Sequence, residues 1–119
     1  MRARELICLA AAAVCWGCKS QHDRETARVQ KALSWVSTAG SVAQLWVENR
    51  VPARYAERTL DEARTELTSN GEAESALLAA TLRDAVHRAD RAGVAAPLAS
   101  LMAHRGSLHA QSDQLESEK

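Results

Sequence analysis

Apolar residues recur at helical spacing over most of the chain that follows residue 22. Placed at about 100° per residue, they form an apolar stripe in each of four segments, at about 23–49, 52–69, 72–92 and 97–104. Polar and charged residues occupy most of the opposite side of these segments. The pattern therefore predicts an all-α fold, a small antiparallel bundle of three to four helices.

Short turns separate these segments. Each turn contains Pro, Gly or Asn, and the residues concerned are Asn49, Pro52, Asn70, Gly71, Gly93 and Pro97. Pro suits the first position of a helix, and Gly or Asn suits the position just after its end. Connections this short favour antiparallel neighbours. The predicted helical domain covers residues 23–110, and the polar composition of residues 111–119 predicts a frayed tail.

The first predicted helix has an apolar face about half its circumference wide, which indicates contact with two neighbouring helices. Trp35 and Trp46 are eleven residues apart and therefore nearly eclipse each other, toward one edge of that face. One interpretation places both in the core or at its boundary. A second makes them a docking patch for a partner protein, because Trp is enriched at binding hot spots. Contact with a membrane interface is a third.

The first eighteen residues have a different pattern. Two arginines precede an uncharged, mostly apolar run over residues 6–16, and Gly17 and Cys18 follow it. A basic start, an apolar run of about 7–15 residues and a small residue before the cleavage point are typical of a secretory signal. The run is shorter than the roughly 20 residues that a membrane-spanning helix needs. We therefore expect residues 1–17 to be a removable signal peptide.

This stretch resembles the signals of bacterial lipoproteins, which end in a short box of Leu, two small residues and Cys. Gly17 and Cys18 match the last two positions, whereas Cys15 stands where Leu is usual and Trp16 where a small residue is usual. The resemblance implies that Cys18 receives a diacylglycerol thioether and becomes the first mature residue. Because Lys19 rather than Asp follows the cysteine, it also implies an outer-membrane location facing the periplasm.

Other interpretations apply to the same cysteines. Ordinary signal cleavage would release a soluble protein. Cys15 and Cys18 form a C-x-x-C pair, as in thioredoxin-like proteins, and together with Lys19 they resemble the lysine variant of a c-type haem attachment motif. The chain lacks the βαβ pattern of the first class and the further haem motifs of the second. A zinc site from Cys15, Cys18 and His22 has no clear fourth ligand.

Composition narrows the function classes. Cleavage before Cys18 would leave thirteen basic and fourteen acidic residues, and no basic–aromatic cluster is visible, so we expect no nucleic-acid partner. Alanine supplies 24 of the 119 residues and phenylalanine none, which favours helices but predicts a thin core. A domain of this size with a thin core is marginally stable. A protein partner or self-association through the first helix would add to its stability.

Residues with catalytic potential are few. The four histidines are His22, His87, His104 and His109. They show no metal-binding spacing, and neither a phosphate-binding loop nor a nucleophile–base motif is visible. The sequence therefore predicts no catalytic, cofactor or metal site, and a protein that is not an enzyme.

The expected function is that of a structural or protein-binding module at the bacterial cell envelope. A lipid on Cys18 would hold it to the membrane, with residues 18–22 as a short tether. The alternative is a soluble secreted or periplasmic adaptor or inhibitor. A redox or haem protein that uses Cys15 and Cys18 is a third hypothesis.

Overall fold

The computed structural model describes the backbone of residues 2–118 and the side chains of residues 21–118. These residues form four α-helices, and the last is preceded by a 3₁₀ turn at Ala92–Val94. The helices are α1 (Arg2–Val47), α2 (Ala53–Ser69), α3 (Ala73–His87) and α4 (Ala95–Ser117). The side chains of the predicted signal peptide, including Cys15, and of Cys18 lie outside the described residues.

The helices pack as an antiparallel bundle, which confirms the predicted fold class. Each helix packs mainly against two neighbours, in the ring order α1, α2, α3, α4. Contacts of the middle of α1 with the last turns of α2 and α4 fit the antiparallel directions, because the end of α1 lies near the start of α2. Lys31 of α1 pairs with Glu66 of α2 at 3.0 Å, and Gln30 of α1 donates a hydrogen bond to Ser112 of α4 at 2.6 Å.

Alanine forms much of the core, as the composition predicts. Among the described residues, nineteen apolar side chains are buried, and eight of them are alanines. These are Ala32, Ala39, Ala43, Ala56, Ala63, Ala76, Ala79 and Ala85. The largest fully buried side chains are the leucines Leu60, Leu67, Leu82 and Leu101. The bundle therefore depends on close helix contacts at small residues, with four leucines filling the larger gaps.

Three of the described helices end in the same motif, in which one residue has positive φ. These residues are Asn49 after α1 (φ 60°), Gly71 after α2 (φ 80°) and Ala89 after α3 (φ 54°). The backbone hydrogen bonds that close the motifs run from Arg50 N–H to Leu45 O (2.8 Å), from Glu72 N–H to Leu67 O (2.9 Å) and from Asp90 N–H to Ala85 O (2.8 Å). This is the Schellman motif, which reverses the chain and satisfies the last carbonyls of a helix.

The end of α3 and the start of α1 differ from the sequence prediction. The third helix was expected to continue to residue 92, but α3 ends at His87. The reason is the positive φ of Ala89, a conformation that alanine rarely adopts. The first helix was expected to begin at about residue 23. Gln21 and His22, at the end of the expected tether, are already helical, so Asp23 lies inside α1.

Helix α4 extends beyond the predicted end. It continues to Ser117, through most of the segment 111–119 that the composition assigns to a frayed tail. Two of its residues in this segment lie against the bundle. Ser112 is buried and hydrogen-bonded to Gln30, and Leu115 packs against the core. These contacts hold the last turns of α4 in place despite their polar composition.

Candidate protein-docking site

The two tryptophans of α1 have different surroundings. Trp46 is 4% exposed and belongs to the core, and the guanidinium carbon of Arg91 lies 4.9 Å from the centre of its ring. Trp35 is half-buried, with one side packed against the core. Their near-eclipsed spacing predicts that both lie at the same edge of the apolar face. The connection after α1 and the side chain of Arg91, however, cover Trp46. Of the tryptophans that the structure describes, Trp35 is therefore the one available to a partner.

Two neighbouring depressions lie where α1 and α2 meet, and we refer to them together as the α1–α2 groove. Their volumes are about 710 and 380 Å³. Trp35, Arg58 and Glu62 line both depressions, which makes the groove continuous. Tyr55 lines the smaller depression and is 56% exposed. The groove thus presents two aromatic side chains between charged residues of α2.

The charged residues of this groove fall into two groups. Asp61 is engaged within the bundle, because Arg83 of α3 donates to its carboxylate at 3.0 Å. Arg58 and Glu62 lie one helical turn apart on α2, yet within the described part of the chain neither forms an ion pair. Arg58 and Glu62, which line both depressions beside Trp35, are therefore free to pair with groups on another molecule. Such pairs confer orientation and specificity on a contact whose area comes from the aromatic rings.

A serine–histidine–glutamate arrangement, absent from the sequence prediction, lies between α3 and α4. Ser75 Oγ is 3.4 Å from His104 Nδ1, and His104 Nε2 is 3.4 Å from Glu74 Oε2. Ser75 is fully buried, whereas the Glu74 side chain is 85% exposed. A buried hydroxyl has no access to a substrate carbonyl, which a nucleophile requires.

The role of the Ser75–His104 contact is therefore structural. It gives a buried hydroxyl a partner and joins α3 to α4. The sequence does contain one signal for it, because Ser75 falls within the predicted apolar stripe of the third helix. A serine in that position needs a polar partner from a neighbouring helix. Which residue supplies it depends on the register between α3 and α4, which the sequence pattern does not specify.

None of the histidines that the structure describes lines the groove. Among the described residues, no three His, Cys, Asp or Glu side chains are close enough together to hold a metal ion. Of the zinc candidates, His22 is described, and its buried Nε2 has no hydrogen-bond partner. His87 is exposed and contacts Glu57 at 2.6 Å. None of the helices, over the residues described, has an apolar stretch long enough to cross a membrane.

A third depression, of about 480 Å³, lies between α1 and α4. Gly40 and Met102 line it, together with Arg105 at its edge. It lacks an aromatic side chain, which makes the α1–α2 groove the better candidate for a protein-docking site.

Comparison of the chain with protein-family models, with curated proteins and with solved structures finds no match.

Proposed function

We propose that this protein is a lipid-anchored module of the bacterial cell envelope that binds another protein through the α1–α2 groove. The proposal depends chiefly on Trp35, which is half-buried and lies in the groove beside Arg58 and Glu62. A large aromatic surface beside unpaired charges is typical of binding hot spots. Tyr55 adds a second exposed ring at the same site.

Membrane attachment is supported by the first eighteen residues. Their basic start, apolar run and final Gly17-Cys18 resemble a lipoprotein signal. Only Lys19 and Ser20 separate Cys18 from Gln21, where the described side chains begin. Because an extended chain spans at most about 3.6 Å per residue, a lipid on Cys18 would hold this end of the bundle within about 11 Å of the bilayer surface.

The same geometry sets the height of the docking site. Trp35 follows Gln21 by fourteen residues of α1, which corresponds to about 21 Å along the helix axis. With α1 upright on the membrane, the α1–α2 groove would face sideways into the periplasm, about 21 Å beyond Gln21 and therefore at most about 32 Å from the bilayer surface. A neighbouring protein of the same membrane could reach it.

The alternative proposal is a soluble periplasmic adaptor. It is favoured by Cys15 and Trp16, which depart from the Leu and the small residue of a lipoprotein signal. Ordinary cleavage would then release the same bundle without its lipid. The docking proposal applies equally to this soluble form, because it depends on α1 and α2 alone.

Expression of the full chain with a Cys18→Ala variant in a Gram-negative host tests the anchor. We expect the unchanged chain to incorporate radiolabelled fatty acid and to begin at an acylated Cys18 by intact mass. The Cys18→Ala chain should remain an unprocessed, unlabelled precursor. A mature chain of bare polypeptide mass, with normal processing of the variant, would establish the soluble alternative. A mature chain that retains both Cys15 and Cys18 would instead support a redox or haem protein.

Photocrosslinking in cells tests the docking site. A photoreactive amino acid replaces Tyr55 in the groove, and in a matched control it replaces Ala99, an exposed residue of α4. We expect a discrete adduct from position 55 and none from position 99. Arg58→Glu should abolish the adduct without affecting the fold, because Arg58 is exposed and forms no ion pair in the described part of the chain. Trp35→Leu should weaken it while keeping an apolar side chain against the core.

The mass of the adduct identifies the kind of partner, and purification of both proteins then gives their affinity. An adduct of twice the chain mass would show that the partner is a second copy. Equal adducts from positions 55 and 99, or an adduct that survives both Arg58→Glu and Trp35→Leu, would rule out docking through the groove.

A further inference from the structure

A separate cavity lies at the opposite end of the bundle from Cys18. It opens between the connection that follows α1 and the end of α3, with a volume of about 550 Å³. The part of α1 from Gln21 to Val47 rises about 40 Å along its axis, so this distal cavity is far from the anchor. It shares no lining residue with the α1–α2 groove; Ala53 lines the cavity, and its neighbour Arg54 lines the groove.

Two guanidinium groups line the distal cavity. Arg50 has a side chain that is 69% exposed, and its closest carboxylate oxygen, on Glu48, is 3.9 Å away. Arg91 lies over the ring of Trp46 and donates a hydrogen bond to the side chain of Asn49. This contact uses one N–H group of a side chain that has five, so Arg91 has donors left for a ligand.

None of the residues that line the cavity carries a carboxylate. Of the acidic residues near the cavity in sequence, Glu48 is 3.9 Å from Arg50, and Glu57 and Asp90 have other contacts. Glu57 contacts His87, which also lines the cavity, at 2.6 Å. Asp90 accepts a hydrogen bond from the Gly93 N–H at 3.0 Å. The cavity lining therefore carries two guanidinium groups and no carboxylate, and Arg50 has a long 3.9 Å contact with Glu48 outside the lining.

Apolar side chains form the rest of the cavity wall. Val51 and Pro52 belong to the connection after α1, Val86 belongs to α3, and Trp46 lies at the back. The volume is within the range of ligand sites, about 300–1,000 Å³, and greatly exceeds what a single carboxylate group occupies. A fitting ligand therefore combines negative charge with apolar groups.

We propose that the distal cavity binds an acidic segment of a partner protein, with Glu or Asp side chains next to apolar ones. The carboxylates pair with Arg50 and Arg91, and the apolar side chains contact Val51, Pro52 and Val86. Charge-assisted bonds to arginine are among the stronger hydrogen bonds at protein surfaces. This inference is independent of the lipid anchor and of the α1–α2 groove.

Isothermal titration calorimetry on the full chain in detergent micelles tests the inference. The probe is a peptide capped at both ends with the sequence GVEVEVG, and the control peptide is GVQVQVG. We expect the glutamate peptide to bind about tenfold more tightly at low salt, and its affinity to fall as salt is added. The indole N–H signal of Trp46 should shift in NMR spectra during the titration, because Trp46 lies in the cavity wall.

Two arginine variants make the test specific. Arg50→Ala should weaken binding of the glutamate peptide about tenfold. Arg105→Ala removes an exposed arginine on α4, outside the distal cavity, and should leave the affinity unchanged. Equal binding of the two peptides, or no effect of Arg50→Ala, would overturn the inference. So would inorganic phosphate displacing the glutamate peptide at equal concentration, because the cavity would then be a site for small anions.

Discussion

Met102 of α4 places its terminal methyl group over Gly40 of α1, in the space that a β-carbon on residue 40 would occupy. Gly40 is buried within a helix, where glycine is unfavourable by about 1 kcal/mol relative to alanine. Glycine at this position leaves room for Met102, because its side chain is only a hydrogen atom. The packing of α4 on α1 therefore depends on these two residues as a pair.

A double-mutant cycle on this pair should show strong coupling. In a Met102→Ala background, Gly40→Ala should stabilise the protein by about 1 kcal/mol, because the clash is gone and the helix gains a better residue. With Met102 present, the clash should cancel most of this gain. Urea unfolding of the four proteins gives the coupling free energy, which we expect to be about 1 kcal/mol. Additive effects would mean that Met102 moves aside at no cost.

Replacing Ala89 by Gly should stabilise the protein. Ala89 has a φ of 54° in the motif that ends α3, and a left-handed conformation costs a residue with a β-carbon about 1–2 kcal/mol. After the entropic cost of glycine in the unfolded chain, we expect a net gain of about 0.5–1 kcal/mol in unfolding free energy. Ala99→Gly, at an exposed position inside α4, is the matched control and should lose about 1 kcal/mol. A loss at both positions would show that Ala89 is not strained.

The hydrogen bond between Gln30 and Ser112 should control the order of the last turns of α4. Ser112→Ala removes the acceptor of a 2.6 Å hydrogen bond at a buried position and should cost about 1 kcal/mol. Backbone amides of residues 112–117 should then exchange hydrogen faster. Ser107→Ala, at an exposed position of α4, should change neither the exchange rates nor, appreciably, the stability. Unchanged exchange in Ser112→Ala would mean that Leu115 alone holds this segment.

The Glu25–Arg28 pair should add a small pH dependence on the acid side. A hydrogen bond from Arg28 and its positive charge hold the pKa of Glu25 below its ordinary value. A carboxyl group whose pKa is lower in the folded than in the unfolded state stabilises the protein at pH values above the unfolded-state pKa, about 4.3. The protein loses that contribution as the pH falls through the folded-state pKa. Glu25→Gln should therefore be less stable than the unchanged protein at neutral pH, with the difference vanishing in acid.

Removing the partner provides the control for this pH dependence. In an Arg28→Gln background, Glu25→Gln should no longer change the slope of unfolding free energy against pH between about 3 and 5. Thermal unfolding over that range measures it. The effect is expected to be small, because the Glu25 side chain is half exposed to water. A slope that persists in this background would assign the acid sensitivity to other carboxylates.

Much of the fold follows from periodicity and turn residues alone. The four helices, their antiparallel order and the turns at Asn49 and Gly71 are all indicated by the sequence, because Asn and Gly favour positive φ. The end of α3 was not indicated by the sequence, because alanine at position 89 does not favour positive φ. After Ala89 the chain turns into the segment whose Val94 is buried in the core, and the local sequence does not specify that contact.

The candidate site was predicted in part. Periodicity places Trp35 and Trp46 near the same edge of α1, but it contains no information on what covers each ring. Trp46 lies close to the end of α1, where Arg91 and the connection to α2 fold over it. The pairing of Ser75 with His104 likewise depends on the register of two helices. Both features require contacts between segments distant in sequence, which local patterns do not specify.

The alanine-rich core determines which mutations this protein tolerates. A buried leucine can lose atoms by substitution, whereas almost every replacement of a buried alanine adds them. At positions such as Ala56 and Ala63, which are fully buried between helices, new atoms must push two backbones apart. Substitutions in the core are therefore limited mainly by the volume that a larger side chain adds. Outside the proposed docking sites, exposed positions tolerate added volume, whereas the spacing of small residues along the helices must persist.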